Sequence, residues 1–366
     1  MNSVIWIENQ RSILYKDFIF NLNEKKLNHP SLPNYSNFIK IIKEVADNKK
    51  FSDIDSLLEN LIENKESNFE LFTSGSTGKP KKVKVVLRNC LRMVKTNKSS
   101  VIWGLAYPSN SFAGTQVFFQ SLFNKQTIVS LNHQDFKTAT KLIEDYKVTN
   151  LTCTPTYLKM LTSGKTISMR LLKNISLGGE TLSLKNYNYF KKKFPKTTIR
   201  NIYASSEVGS ILVTKGECFY IPNDLKGKVK IVNEELLFHK TLLNDFTNQK
   251  LIDNWYYSGD IIEWIDKKHF IIVNRNSNYI NVGGHRVNLI EVEETLLGIN
   301  QIREARVFSK SNSILGNIIG VEYKGEIDSR NLHILLRGLL ESHKVPTILK
   351  KVDQIPLTQT GKKKRI

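Results

Sequence analysis

The feature that most constrains the fold is an alternation of short apolar runs with amphipathic segments, between about residues 69 and 215. The predicted strands are "NFELFTS", "QTIVSL", "TNLTCT", "LKNISL" and "TIRNIY". The predicted helices are "LRNCLRMVKTN", "GTQVFFQSLFN", "FKTATKLIEDYKV", "TYLKMLTS" and "LKNYNYFKKKF". Such alternation predicts a doubly wound α/β sheet. Sheets of this kind bind ligands at the ends of their strands, so a functional site is expected in the loops there.

Beyond about residue 216 the pattern changes to a strand-rich one, with runs such as "GKVKIV", "ELLFHKT", "DIIEWID" and "HFIIVN". The tail then mixes helix-like "EVEETLLGI" and "RNLHILLRGLLESH" with strand-like "EARVFS", "NIIGVEYKG" and "ILKKVD". Polar "NRNSN" separates the two patterns. The sequence therefore predicts a large α/β domain with an added β-rich part over residues 1–275, and a small α+β domain over residues 276–366.

The balance of charge limits the classes of partner. The chain has 54 lysines and arginines against 34 acidic residues, a formal net charge of +20. This could attract nucleic acid, anionic membranes or an acidic protein. However, the lysines are scattered, with neither an arginine-rich arm nor a basic stripe interleaved with aromatic residues, so nucleic-acid binding is not favoured.

Three further absences in the sequence point to the cytoplasm. No apolar run is long enough to span a bilayer, so no membrane association is expected, and the amino-terminal residues lack the pattern of a secretory signal. The three cysteines are widely spaced and in no metal-ligand pattern, which indicates reduced thiols.

A loop rich in glycine, serine and threonine lies between two predicted strands, in "LFTSGSTGKPKKVKVV". A Walker-type phosphate loop needs four residues between its two glycines, whereas only two separate Gly75 from Gly78. The loop could still expose backbone N–H groups to a polyphosphate, with lysines at its exit. The alternative is a solvent-exposed hairpin turn, and this segment alone favours the turn.

This loop and five later segments resemble the motifs of the adenylate-forming superfamily, which contains acyl-CoA synthetases, amino-acid adenylation domains and luciferases. In the superfamily's own order, they are "TSGSTGKPKKV", "SLGGETL", "NIYASSEVG", "NWYYSGD", "NRNSNYINVGGHRVNLIEVE" and "PLTQTGKKKR". Any one short motif is weak, but six in order identify the chain as a member. Only about 70 residues precede the loop, so the resemblance is to a short member with a reduced N-terminal region.

The resemblance implies that a carboxylate attacks the α-phosphorus of ATP, which releases pyrophosphate and leaves an acyl-adenylate. Because both reactants are anions, the site must supply positive charge and rigid donors. The acyl group then passes to a thiol, either of coenzyme A or of phosphopantetheine on a carrier protein. Carrier proteins are usually acidic, which a basic chain would complement. In the superfamily the small domain is mobile and swings between the two steps, here about a hinge at Ser277.

The resemblance also implies roles residue by residue. The residues that would bind ATP or AMP are Thr73, Ser74, Gly75, Ser76, Thr77, Gly78, Lys79, Lys81, Gly179, Glu180, Tyr203, Ala204, Asp260 and Arg275. The catalytic residues would be Ser206 at the α-phosphate, Glu207 as the ligand of Mg²⁺, and Lys362, which would reach the carboxylate from the small domain. The thiol side would be formed by Gly283, Gly284 and Arg286, and the acyl pocket by Ser111, Gly114 and Gly178.

Taken singly, three of these residues have structural explanations. Glu207 could balance a helix dipole, Asp260 could be a turn residue, and Lys362 could belong to a solvated basic tail. The segment "SNSFAGTQVF" has no Asp to bind an α-ammonium group, which disfavours a simple α-amino acid and favours an aryl, short-chain or hydroxy acid. Three other functions stay open: an adenylate-forming amide ligase, a degenerate nucleotide-binding regulatory protein, and a basic nucleic-acid-binding protein.

Overall fold

The amino-terminal part of the chain contains elements that the sequence patterns did not predict. The computed structural model describes residues 3–24, 31–74, 80–97, 99–132, 135–162, 169–244, 251–275, 279–312 and 315–356. Its first elements are β1 (Val4–Glu8), β2 (Arg11–Leu14), α1 (Tyr15–Asn23), α2 (Pro33–Val45) and α3 (Ile54–Glu63). Asn9 and Gln10 both have positive φ, which suits the two-residue turn between β1 and β2. Asp53 and Ser56 form a capping box that starts α3.

The predicted α/β sheet is confirmed and has eight strands, in the order β10-β9-β8-β7-β5-β6-β1-β2. The strands not yet given are β5 (Ile102–Leu105), β6 (Thr127–Ser130), β7 (Asn150–Cys153), β8 (Asn174–Gly178), β9 (Thr198–Ser205) and β10 (Gly209–Thr214). The six inner strands run parallel to one another, and the edge strands β2 and β10 pair antiparallel with β1 and β9. β1 thus completes the sheet by pairing with β6, and neither β1 nor β5 was predicted.

Helices cover both faces of this sheet, as a doubly wound fold requires. They are α5 (Phe112–Phe123), α6 (Phe136–Asp145), α7 (Pro155–Leu161) and α8 (Leu184–Lys193). One core packs α1, α2, α3 and α5 against the sheet, and a second core packs α6, α7 and α8 against the other face. Neighbouring residues of one strand enter different cores, as Ile128 and Val129 do in β6, because side chains alternate between the faces of a strand.

The glycine-rich loop is carried by a separate two-stranded ribbon. This ribbon consists of β3 (Asn68–Ser74) and β4 (Pro80–Val86), paired in antiparallel register from Asn68 opposite Val86 to Ser74 opposite Pro80. The strand predicted from "NFELFTS" is therefore confirmed, but it lies outside the main sheet. The helix predicted from "LRNCLRMVKTN" is only α4 (Leu87–Leu91), which is shorter than predicted.

The predicted β-rich part is a five-stranded antiparallel sheet. Its strands are β11 (Val229–Val232), β12 (Glu235–His239), β13 (Leu251–Ile252), β14 (Trp255–Trp264) and β15 (Phe270–Arg275). Its core also takes in apolar residues of β10, for example Leu212, so this sheet packs on the edge of the large one.

The remaining elements have the predicted α+β pattern. They are β16 (Tyr279–Val282), β17 (His285–Asn288), α9 (Leu289–Gly298), β18 (Ile302–Asn312), β19 (Gly316–Gly325), α10 (Ser329–Leu339) and β20 (Ile348–Lys351). They share a hydrophobic core of their own, formed within residues 280–349. The boundary at residues 275 and 276 stays a prediction. In the described part of the chain, no helix is both long and apolar enough to cross a membrane.

Candidate functional site

The candidate site lies where the winding of the large sheet reverses. β6 lies on one side of β5 and β7 on the other, and the two connecting helices, α5 and α6, cover opposite faces. In open α/β sheets, the carboxyl ends of strands at such a switch point form the ligand crevice. Tyr107 and Thr154 lie within two residues of the ends of β5 and β7 at this crevice.

The Gly178–Glu180 segment follows β8 and is fixed by its neighbours. The hydroxyl of buried Tyr107 donates to the carbonyl oxygen of Gly178 at 2.9 Å. The carboxylate of Glu180 accepts from the backbone N–H of Thr156 at 3.0 Å, in the first turn of α7. Gly179 has a φ of +81°, so glycine suits this turn. Burial, with Cys153 and Glu180 nearby, raises the pKa of Tyr107 well above its ordinary value, so this residue donates as a neutral phenol.

Tyr203 and Asp260 meet although they are far apart in sequence. The Tyr203 hydroxyl donates to Asp260 Oδ2 at 2.5 Å, and the backbone N–H of Asp260 donates to the Ser258 hydroxyl at 3.0 Å. The Tyr203 ring stacks on Phe238 with ring centroids 6.0 Å apart. Asp260 is only 6% exposed. An aromatic ring beside a buried carboxylate fits a nucleoside, since the ring can stack on a base and the carboxylate can accept from ribose hydroxyls.

Ser206 and Glu207 lie in the turn between β9 and β10. The carbonyl oxygen of Ser206 accepts from the Asn244 side chain, and that of Val208 accepts from Arg92. The carboxylate of Glu207 is half-buried and forms no ion pair with another described residue. A single carboxylate together with phosphate oxygens is a usual ligand set for Mg²⁺, so Glu207 fits the predicted metal role. No group of three or more His, Cys, Asp or Glu side chains in the described ranges could hold a metal alone.

The predicted acyl-pocket residues Ser111 and Gly114 lie at the start of α5 and have a local structural role there. Ser111 Oγ accepts from the Gly114 N–H at 3.1 Å and donates to the Pro108 carbonyl oxygen at 2.7 Å. A Cβ at Gly114 would lie 2.1 Å from that carbonyl oxygen, so only glycine fits. These contacts explain both residue types without a ligand, and the pocket assignment stays a prediction.

Two of the residues predicted for the thiol side lie in a tight turn of the small domain. Gly283 and Gly284, with φ of +55° and +87°, connect β16 to β17.

The remaining predicted residues are less fully described. Ala204 pairs with Ser210 between β9 and β10. For five other predicted residues the structure describes only the backbone, in strands; they are Thr73, Ser74, Lys81, Arg275 and Arg286. Gly75, Ser76, Thr77, Gly78, Lys79, Ser277 and Lys362 lie outside the described residues.

Five residues at the site were missed by the sequence reasoning, namely Tyr107, Thr156, Asn89, Arg92 and Asn244. A strand prediction at β5 would have placed Tyr107 at a strand end. The other four form hydrogen bonds that span long sequence separations, for which a single sequence offers no signal.

Solved structures with the same architecture identify the class of fold. The chain aligns with o-succinylbenzoate CoA synthetase (MenE) from Bacillus subtilis, in complex with the acyl-adenylate intermediate OSB-AMP. The TM-score is 0.69 at 15% identity, over 99% of this chain and 94% of that chain. It also aligns with the amide bond synthetase McbA from Marinactinospora thermotolerans, with a TM-score of 0.69 at 14% identity, over 99% of this chain and 96% of that chain. The fold is therefore that of adenylate-forming enzymes.

The family follows from the sequence comparison. Residues 22–233 match the family model described as AMP-binding enzyme, which is more than half of the chain. The chain belongs to the AMP-binding enzyme family.

The curated relatives are longer proteins. Tyrocidine synthase 2 of Brevibacillus parabrevis is 24% identical over 338 residues, which are 80% of this chain and 9% of that protein. The mitochondrial acyl-coenzyme A synthetase ACSM1 of Mus musculus is 23% identical over 343 residues, which are 80% of this chain and 60% of that enzyme. The chain thus spans less than two thirds of the length of either relative.

Proposed function

We propose that this chain uses ATP to convert a carboxylic acid into an acyl-adenylate and then transfers the acyl group to a thiol. The observation that carries the proposal is the contact between Tyr203 and buried Asp260 beside the Ser206–Val208 turn. In this proposal the contact provides a stacking surface and a ribose acceptor, and the turn that follows Tyr203 would bind the phosphates. Membership of the AMP-binding enzyme family supports the same reading.

In this proposal the protein binds the nucleotide from three sides. The Tyr203 ring lies against the adenine, Gly179 and Glu180 line the adenine edge, and Asp260 accepts from the ribose hydroxyls. The ribbon residues Thr73, Ser74 and Lys81, with the adjoining loop, hold the outer phosphates. Arg275 lies near the ribose, since its backbone pairs with that of Asp260.

Charge neutralisation is the main task at the reacting atoms. Mg²⁺ supplies positive charge at the phosphates when bound. Ser206 donates to the α-phosphate, Glu207 holds the metal, and Lys362 contacts the acid's carboxylate and the α-phosphate as they approach. Lys362 lies outside the described residues, so its role rests on the sequence motif.

The acid enters the crevice from the side of Ser111, Gly114 and Gly178. We propose an aryl, short-chain or hydroxy acid, since "SNSFAGTQVF" offers no carboxylate for an α-ammonium group. The acceptor is coenzyme A or the phosphopantetheine of an acidic carrier protein, admitted on the side of Gly283, Gly284 and Arg286 after the small domain turns about Ser277. The +20 charge supports an acidic partner, and we place the reaction in the cytoplasm.

The first test is ATP–pyrophosphate exchange over a panel of carboxylic acids. Exchange that depends on one class of acid, and that is lost in Lys362→Ala but kept in Lys363→Ala, supports the proposal. The neighbouring lysine is the matched control, because a merely basic tail would lose the same charge in either variant. Exchange in both variants at the wild-type rate would refute the role of Lys362. No exchange and no binding of Mg·ATP would refute the proposed function.

The acceptor is tested in a second assay with the acid that supports exchange. Thioester formation with coenzyme A and with a phosphopantetheinylated carrier protein is compared with amide formation from alkyl amines. Faster amide formation would contradict thiol transfer and favour an amide ligase.

A further inference from the structure

Three polar side chains connect the β3–β4 ribbon to the turn that carries Ser206 and Glu207. They are Asn89 of α4, Arg92 just after α4, and Asn244 beyond β12, and we call them the clasp. Asn89 is 0% and Asn244 is 2% exposed, although both side chains are polar. Buried polar groups are stable only when they are hydrogen-bonded, so the partners of these residues show what the clasp holds.

One side of the clasp holds three consecutive carbonyl oxygens of the turn. Asn244 Nδ2 donates to the oxygen of Ser206 at 2.8 Å, and the Asn244 backbone N–H donates to the oxygen of Glu207 at 2.7 Å. Arg92 Nη1 donates to the oxygen of Val208 at 3.1 Å. The path of the backbone through the turn is thereby fixed at each residue.

The other side of the clasp holds the end of the ribbon that lies opposite the glycine-rich loop. Asn244 Oδ1 accepts from the backbone N–H of Val86, the last residue of β4, at 3.2 Å, and from Asn89 Nδ2 at 2.7 Å. The Asn89 side-chain oxygen accepts from Arg92. The single side chain of Asn244 thus bonds to the ribbon with its oxygen and to the turn with its nitrogen.

The electrostatics of the clasp are compatible with this role. Burial, with Arg88 nearby, lowers the pKa of Arg92 to about 10, which leaves the guanidinium charged at neutral pH. A charged donor strengthens a hydrogen bond to a carbonyl oxygen. The clasp thus consists of two buried amides and one half-buried, charged donor.

We propose that Asn244 is a positioning residue, which fixes the distance between the ribbon and the Ser206–Val208 turn so that both can bind one triphosphate. The proposal rests on the proposed function, which assigns the outer phosphates to the ribbon and the α-phosphate to Ser206. Catalytic groups must be held within a fraction of an ångström of their working geometry, and this requires supporting side chains that do not touch the substrate.

The test uses the full chain and two ligands, Mg·ATP and adenosine, with affinities measured by isothermal titration calorimetry. Asn244→Asp keeps an acceptor for Val86 but replaces the donor to Ser206 with a carboxylate oxygen. Since losing one buried hydrogen bond corresponds to about a tenfold change in an equilibrium constant, we expect Mg·ATP to bind about tenfold more weakly. Adenosine should bind within about twofold of wild type by the same conversion, because its contacts are with Tyr203 and Asp260.

Two further variants keep the test decisive. Asn89→Ala removes the donor to Asn244 and the acceptor of Arg92, so it should weaken Mg·ATP binding in the same direction if Asn244→Asp does not fold. Asn150→Ala is the matched control. Asn150 is also buried, at 7% exposure, and accepts from Asn174 at 3.2 Å at the opposite end of the strands. It should change neither affinity.

The outcomes separate this proposal from the proposed function. Clasp variants that bind Mg·ATP as wild type does would overturn the positioning role while leaving the proposed function intact. An equal loss for Mg·ATP and adenosine would show a general structural role and would also overturn it. A wild-type protein that binds neither ligand would overturn both.

Discussion

Gly209 offers a direct test of the geometry at the turn, because its replacement has two separable effects. Gly209 is the first residue of β10, just after Val208, and its φ is +73°. A Cβ at this position would lie 2.3 Å from Cζ of Phe112, the buried first residue of α5. The turn that carries Ser206 and Glu207 therefore approaches the start of α5 more closely than any side chain at position 209 would allow.

The size of the effect of Gly209→Ala follows from these two numbers. A left-handed backbone destabilises a residue with a Cβ by about 1–2 kcal/mol. Displacing the Phe112 ring within a packed core adds about 1–3 kcal/mol. We expect the variant to lose about 2–5 kcal/mol of the free energy of unfolding, a large part of the stability of a typical domain.

Gly227→Ala is the matched control. Gly227 has nearly the same φ, +75°, but no atom lies within 4 Å of the position of its Cβ. Its replacement should lose only the backbone part, about 1–2 kcal/mol. The difference between the two variants then measures the overlap with Phe112 alone.

The assay is urea unfolding followed by both intrinsic fluorescence and circular dichroism. Phe112→Leu, introduced with Gly209→Ala, should recover part of the loss through a favourable coupling energy in the double-mutant cycle. Equal midpoints for Gly209→Ala and Gly227→Ala would refute the close approach of the turn to Phe112. If both variants unfold at the same urea concentration as wild type, the left-handed backbone at Gly209 and Gly227 would be refuted as well.

Three other changes test single contacts. Tyr203→Phe keeps the ring but removes the donor to Asp260, so calorimetry should show adenosine binding about tenfold more weakly, and an unchanged affinity would argue against the nucleoside site. Ser111→Ala removes the cap of α5, which should lower the free energy of unfolding in urea by about 1 kcal/mol, and no loss would contradict the cap. Backbone donation from Lys268, with a bond from His269, lowers the pKa of Asp266 to about 2. Because this folded-state pKa lies below the unfolded value, the resulting stability is complete above the unfolded value and is lost as the pH falls towards 2. As the pH is lowered from about 5 to about 2, the free energy of unfolding of Asp266→Asn, measured by urea titration, should therefore fall less than that of wild type. An equal fall in the two proteins would contradict the lowered pKa of Asp266.

Local patterns predicted most of the large domain because its strands and helices alternate along the chain. They failed where pairing is distant in sequence. β1 is a run of five residues, Val4–Glu8, and its parallel partner, β6, follows more than a hundred residues later. A short apolar run does not indicate which distant strand it will pair with, because a segment's preference for the β conformation depends largely on its neighbours in the sheet. The ribbon was misplaced for the same reason, as "NFELFTS" looks like any other strand in the series.

The candidate site was predictable to the extent that its residues lie in short motifs. Tyr203 and Asp260 belong to two different motifs, and nothing in either motif indicates that the two side chains touch. The clasp residue Asn244 could not be found in this way, because asparagine is common throughout this chain. Asn244 differs from the other asparagines because it is buried between the ribbon and the Ser206–Val208 turn, and this burial is a property of the tertiary structure.

One buried carboxylate joins β1 to α2 and, through α2, to the loop before α5. Glu8, at the end of β1, accepts from the backbone N–H groups of Asn34 and Tyr35 in the first turn of α2, and from the Asn34 side chain at 2.6 Å. The side-chain oxygen of Asn34 in turn accepts from the N–H and the hydroxyl of Ser109, in the loop before Ser111. A negative charge at the start of a helix is stabilised by the helix dipole, so this network can remain buried. The same few residues therefore join β1 to the sheet, anchor α2 and hold the loop that precedes Ser111.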